Sequence, residues 1–185
     1  MESNAIMPEY RNVLRSLAPW LMLISLVILL DQVTKKWVLD YSQIIFSNGG
    51  RIEVTFFFDL VLAYNRGAAF SILAEHSGWQ RWFLTVLALA VSAWLLVLIW
   101  QHRRERLLPF AFALVIGGAL GNVIDRLNHG AVVDFLSFHA GPYYWPAFNV
   151  ADSAITLGAI LMIVGMFRAQ RAEKKANAPP QVPSA

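Results

Sequence analysis

The sequence predicts a membrane-embedded all-α protein of four transmembrane helices, with a small extracytoplasmic β-hairpin or sheet between helices one and two. Three observations carry that expectation. The chain is 57% hydrophobic and only 15% charged, where a soluble domain carries about 25% charged residues. The charges are bunched, so that 17–30, 82–100, 107–124 and 154–167 contain no Asp, Glu, Lys or Arg. The basic residues gather in three segments that four spans would place on one side of a bilayer. A soluble bundle of buried helices is disfavoured, because four such runs in 185 residues leave too little polar surface to cover them.

The first and last runs are shorter than the roughly 20 residues that cross a hydrocarbon core, unless each also holds an aspartate. Span one then covers about 17–38 and includes Asp31. As a cleaved signal peptide the same run would use Arg11 and Arg15 as its basic region, but Asp31 and Lys35 follow it with no small-x-small cleavage site. Asp31 and Lys35 are four apart and can meet on one helix face. A structural ion pair suits Lys35. Asp31 stays open between that role and orienting backbone or substrate.

The outer segment 39–81 is too long for a bare loop. Residues 51–62 are rich in β-branched and aromatic side chains, and Asn48-Gly49-Gly50 before them is a turn signal. Phe56-Phe57-Phe58, and later Tyr143-Tyr144-Trp145, are expected at headgroup level, where aromatic rings are favoured.

Spans two and three cover about 82–100 and 107–126, joined by Gln101-His102-Arg103-Arg104-Glu105-Arg106. That connection shares a side with Arg11 and Arg15 and with Arg168, Arg171, Lys174 and Lys175 of the tail, which assigns this side to the cytoplasm. Arg51, Arg66 and Arg81 are spread more thinly outside, although Lys35 and Lys36 lie near the outer end of span one. Span three closes on Gly117-Gly118-Ala119-Leu120-Gly121-Asn122-Val123-Ile124-Asp125-Arg126. Its small residues allow close helix packing. Asn122, Asp125 and Arg126 share a face, and the adjacent Asp125 and Arg126 are each expected to reach another segment. On its own this cluster reads as a structural polar network.

In the second outer segment, Asp134 lies within Val132-Val133-Asp134-Phe135-Leu136 without a local charge partner. Burial would raise its pKa; a turn or strand-edge aspartate facing water is the alternative. Span four, about 149–168, opens on Asn149-Val150-Ala151-Asp152. Asn followed three residues later by Asp resembles a helix cap, and a carboxylate there suits the helix dipole. Capping and catalysis stand level on spacing alone. The whole reads as one integral-membrane domain, 1–171, with a disordered cytoplasmic tail, 172–185. No internal repeat is visible.

Asp31, Asp125, Asp134 and Asp152 can all be placed at one membrane surface, and an ionisable group near hydrocarbon is a functional candidate by default. The absence of cysteine removes disulfides, thiolate catalysis and Cys-ligated metal. His76, His102, His129 and His139 lack metal-ligand spacing, and there is no HExxH, GxSxG or Ser/Lys arrangement. The net charge of +3 does not imply nucleic acid, because the basic residues flank spans and form no single patch. What remains is a carboxylate pair that activates water and protonates a leaving amine, open among Asp125, Asp134 and Asp152. A proton-coupled transporter would set its carboxylates along a path across the bilayer. A non-catalytic binding factor would tolerate the loss of one aspartate.

An ordered set of motifs resembles the type II, or lipoprotein, signal peptidases of bacteria. They are Leu30-Asp31-Gln32-Val33-Thr34-Lys35, Tyr64-Asn65-Arg66-Gly67-Ala68-Ala69-Phe70, the glycine-rich end of span three, Val132-Val133-Asp134-Phe135, and Pro146-Ala147-Phe148-Asn149-Val150-Ala151-Asp152-Ser153. The resemblance covers roughly 18–167, with Arg66 and 138–144 at places where members are expected to vary. It implies a membrane aspartic endopeptidase with Asp134 and Asp152 as the catalytic pair. Asn122, Asp125 and Arg126 become supporting residues, and Asp31, Lys35, Asn65, Gly67, Asn149 and Ala151 shape the site or hold substrate backbone. It implies cleavage of prolipoproteins just before a diacylglyceryl-modified cysteine, without metal or other cofactor. Globomycin-type peptides are the implied inhibitors, and membrane lipid the implied surroundings. A monomer in the bacterial inner membrane is expected, with both termini cytoplasmic and the active site at the outer face.

Overall fold

Each charge-free run becomes a helix longer than its apolar stretch. The computed structural model describes residues 6–67 and 78–176. Ala68, Ala69 and Phe70 of the second motif, His76, and residues 177–185 of the tail lie outside the described residues. In chain order the elements are α1 (Ile6–Asp40), α2 (Ser42–Ser47), β1 (Arg51–Thr55), β2 (Phe58–Asn65), α3 (Trp79–Gln101), α4 (Leu107–His129), β3 (Val132–Ala140), β4 (Tyr143–Tyr144) and α5 (Val150–Ala176). The helices α1, α3, α4 and α5 are long and apolar enough to cross a membrane.

Two boundaries differ from the sequence expectation. α1 begins at Ile6, well before 17. α5 runs on to Ala176, so the segment expected to be disordered from 172 starts as helix. The reason is local: Glu, Lys and Ala are strong helix formers, and Lys174 and Lys175 in the last turn oppose the negative end of the helix dipole. α4 stops where Gly130 adopts a left-handed φ of 74° and returns its N–H to Arg126 O at 3.2 Å, the usual role of glycine just beyond a helix.

α4 is the centre of the bundle. It packs against α1, α3 and α5, and 61% of its apolar window is buried against 17–22% in the other three. Those three turn large side chains such as Leu29, Trp94 and Ile160 outward, as a lipid-facing surface requires. Ile24 of α1, Leu95 and Ile99 of α3, and Phe112 and Ile116 of α4 form one core cluster. The small residues of α4 bring backbones together where the polar groups lie. A Cβ at Gly121 would stand 2.6 Å from Asp31 Oδ2, so α1 can approach α4 this closely only past glycine.

The sheet is larger than the expected hairpin. Asn48-Gly49-Gly50 does form the turn, with φ of 73° and 85° at the glycines, and β1 pairs antiparallel with β2. But β3 and β4, from the second outer segment, complete a sheet of order β1-β2-β3-β4. β3 pairs antiparallel with β2, setting Ala63 opposite Asp134 and Asn65 opposite Val132. The register jumps between Leu60 and Ala63, so Val61 and Leu62 together face the single Phe135. A bulge of this kind bends the strand and re-aims the side chains beside it. Here the re-aimed stretch is the one that carries Asn65 and faces Asp134.

Candidate active site

The site assembles where the C-terminal ends of α1 and α4, the start of α5 and the bulged end of the sheet meet. Asp134 is on β3 and is 2% exposed. It accepts hydrogen bonds from Asn149 Nδ2 at Oδ1 (2.7 Å) and from Asn65 Nδ2 at Oδ2 (3.1 Å). Asn65 is itself held by an N–H from Gly67 to its Oδ1 at 3.2 Å. Asp134 therefore has the apolar, partnered burial that its flanking residues suggested, rather than a water-facing edge position.

Asn149 caps α5. Its Oδ1 accepts the N–H of Asp152 at 2.8 Å, and the side chain is fully buried. The same amide nitrogen also approaches Val133 O at 3.2 Å. Asp152 is half-buried in the first turn of α5 and accepts Asn122 Nδ2 at 2.8 Å. The capping arrangement is present, and the cap residue ties the two aspartates to one amide.

Behind this pair lies a buried ionic core. Lys35 is 2% exposed and reaches Asp31 Oδ2 at 2.7 Å and Asp125 Oδ2 at 2.8 Å. It also donates to Asn122 Oδ1 at 3.0 Å. Asp31 Oδ1 accepts the N–H of Ala151 at 2.9 Å, and Asp125 Oδ2 accepts the N–H of Val133 at 3.0 Å. An unforeseen member is Gln32, whose amide donates to Asp125 Oδ1 (3.0 Å), Asp31 Oδ2 (3.1 Å) and Gly121 O (3.2 Å). Its place beside Asp31 in the first motif was the only signal in the sequence.

Arg126 differs from expectation in one respect. It hydrogen-bonds within its own helix, to Asn122 O at 3.5 Å. Its reach to other segments is electrostatic, towards Asp152 on α5 and, more weakly, Asp134 on β3, with its helix neighbour Asp125 between them in strength. Every residue singled out from the sequence — Asp31, Lys35, Asn65, Gly67, Asn122, Asp125, Arg126, Asp134, Asn149, Ala151 and Asp152 — belongs to this one connected network.

Electrostatics separate the two foremost aspartates. Burial, and then the neighbouring charge of Asp152, push the Asp134 carboxyl up to about 7. The N–H donors of Asn65 and Asn149 and the charge of Lys35 act against that rise without cancelling it. Asp152 differs in keeping access to solvent, in the first turn of α5. A buried carboxyl that holds its proton towards neutral pH thus stands beside a solvent-accessible one, an arrangement suited to acid–base hydrolysis.

The family model described as signal peptidase (SPase) II matches residues 23–168, which takes in α3 and α4, the greater part of the apolar stretches of α1 and α5, and the whole network. The chain belongs to the signal peptidase II family. The "Lipoprotein signal peptidase" of Azoarcus sp. (strain BH72) is 62% identical over 169 residues, covering 91% of this chain and 93% of that protein. The protein of the same description from Paraburkholderia phytofirmans is 50% identical over 159 residues, covering 86% and 90%. A solved structure described as a bacterial membrane enzyme at 2.3 Å resolution superposes with a TM-score of 0.68 at 30% identity, over 89% of this chain and 94% of that one. A second, at 1.9 Å, gives 0.64 at 31% identity. Membership makes the chain a peptidase, which separates it from the transporter and the non-catalytic factor. As a signal peptidase II it is a multi-pass membrane protein with a small antiparallel sheet, as the sequence led one to expect.

Proposed function

We propose that this signal peptidase II is an aspartic endopeptidase in which Asp134 and Asp152 are the catalytic pair. The observation that carries this reading is their shared anchor: Asn149 donates to one carboxylate and accepts the backbone N–H of the other. Asp152 takes a proton from water as it attacks the scissile carbonyl. Asp134, buried and protonated, gives its proton to the departing amine. The products are a signal peptide ending in a carboxylate and a mature chain with a free α-amine.

The substrate is a prolipoprotein, cut before its diacylglyceryl-modified cysteine. Two features support that choice. The site lies at the ends of apolar helices, where a signal-peptide helix and an attached lipid can both stay in the bilayer. The sheet beside it carries Phe56, Tyr143 and Trp145, exposed at 89%, 80% and 70%, suited to headgroup depth. The basic connection and tail lie at the opposite end of the bundle, so the reading places them and both termini in the cytoplasm of a bacterial inner membrane, with the site outside. The proposed working unit is a monomer. Globomycin-type peptides would occupy the same site.

The deciding experiment is cleavage of a diacylglyceryl-modified precursor by the purified protein in lipid. Release of the signal peptide before the modified cysteine is the expected result. Cleavage elsewhere, or equal turnover of an unlipidated precursor, would overturn the substrate assignment.

A further inference from the structure

The two non-catalytic aspartates occupy equivalent stations. Asp31 Oδ1 holds the N–H of Ala151, the residue just before Asp152, at 2.9 Å. Asp125 Oδ2 holds the N–H of Val133, the residue just before Asp134, at 3.0 Å. One ammonium joins them, since Lys35 Nζ lies 2.7 Å from Asp31 Oδ2 and 2.8 Å from Asp125 Oδ2. We infer that Lys35 is a positioning residue that sets the separation of the proposed catalytic carboxyls by clasping the two side chains that grip their backbones. This rests on the assignment of Asp134 and Asp152 as the pair.

Three features favour a positioning role over charge neutralisation alone. The clasp joins elements that are remote in sequence, α1 and α4, and through them β3 and α5. Lys35 also donates to Asn122 Oδ1 at 3.0 Å. That fixes which way the Asn122 amide faces and aims its Nδ2 at Asp152, 2.8 Å away. Finally, Lys35 stands behind the pair: the structure gives it contacts to Asp31, Asp125 and Asn122, all supporting groups. An ammonium bound on two sides by carboxylates has little freedom, so the backbones on either side inherit its rigidity. Displacing a reacting group by about 1 Å can cost on the order of a hundred-fold in rate.

Lys35→Met alone would leave two buried carboxylates without their cation, and such a protein can fail to fold for that reason alone. The decisive variant is Lys35→Met/Asp31→Asn/Asp125→Asn. Each asparagine keeps a carbonyl oxygen to accept its backbone N–H, and no charge is left unpaired within the triad. Replacing a whole buried ionic group is often close to neutral for stability. Thermal unfolding in detergent is therefore expected near that of the unsubstituted protein. The kcat for a lipidated precursor should fall on the order of ten- to a hundred-fold, with KM little changed.

The rate–pH profile separates positioning from charge. Two carboxyls held close titrate far apart, and they titrate closer together once they can separate. The two limbs of the profile should therefore approach one another in the triple variant. A pure change of local charge would slide both limbs the same way. A triple variant with undiminished kcat, or with a profile that only slides, would overturn the inference. Failure of the underlying pair looks different: Asp134→Asn or Asp152→Asn would then still cleave. Should the triple variant not fold, Lys35→Arg reports instead. It keeps the charge but alters the geometry, and wild-type kcat with an unchanged profile would again overturn the inference.

Discussion

Asn149 stands 2.7 Å from Asp134 and, through the other end of the same amide, caps the helix that carries Asp152. Its two functions can be pulled apart. Asn149→Ala removes both, with a stability loss of about 1 kcal/mol from the lost cap and a larger fall in activity. Asn149→Ser keeps a capping oxygen for the Asp152 N–H without adding a buried charge, but has no amide N–H to offer Asp134. Thermal unfolding and precursor cleavage, measured together, should show stability largely restored in Asn149→Ser and activity not. Recovery of both would reduce Asn149 to a helix cap.

Asp125 is expected to act through structure. Asp125→Asn weakens its hold on the buried Lys35 and on Gln32, a loss of about 1.5–3 kcal/mol for charged hydrogen bonds. Activity should fall with stability, because the Val133 N–H that Asp125 holds sits next to Asp134. A purified Asp125→Asn protein as stable as the original but wholly inactive would place Asp125 among the reacting groups.

The orientation can be tested cleanly because the chain has no cysteine. Single cysteines at Arg104 and at Tyr143, probed in intact cells with an impermeant thiol reagent, should label only at Tyr143. The motive is the basic connection between α3 and α4. Labelling of the Arg104 position from outside would invert the topology.

How far these elements could be read beforehand depends on the range of the interactions that make them. The four spans were legible because absence of charge over a bilayer's length is a local property, visible in 82–100 without any partner. The turn at Asn48-Gly49-Gly50 was equally local. The pairing of β3 with β2 was not, since the match of Ala63 with Asp134 depends on two segments separated by α3 and α4. For the same reason spacing could not choose among Asp125, Asp134 and Asp152. What distinguishes Asp125 is Lys35, on another helix. What distinguishes Asp134 is depth, with Asn65 and Asn149 closing over it. The motif resemblance bridged that gap by carrying long-range information in a local pattern, but it gave Gln32 no role and did not reach the continuation of α5 to Ala176.

Chelation should leave the reaction intact. The proposed chemistry needs only carboxyls and water, and the histidines lack ligand spacing. Purified protein should retain its cleavage rate after exhaustive EDTA treatment. Loss of activity followed by recovery with zinc would overturn the carboxylate mechanism.

The pair itself gives the sharpest test. Asp134→Asn and Asp152→Asn should each abolish cleavage of a diacylglyceryl-modified precursor, and the double variant should be no worse, because the two carboxyls work as a unit. An amide can neither accept a proton from water nor return one to the leaving amine. The pH dependence follows from Asp134, raised from 3.8 to about 7. As the acid it must be protonated, so kcat/KM should decline on the alkaline side with an apparent pKa near that value. The sign for stability is fixed by the same shift. The folded state holds this proton more tightly than the unfolded chain, so its contribution is present in full below pH 3.8 and is lost as pH rises to about 7. Asp134→Asn has no proton to lose, and its unfolding temperature should vary less across that window. Substantial turnover by either single variant would end the assignment. An unfolding profile unchanged in Asp134→Asn would show that the titrating group lies elsewhere.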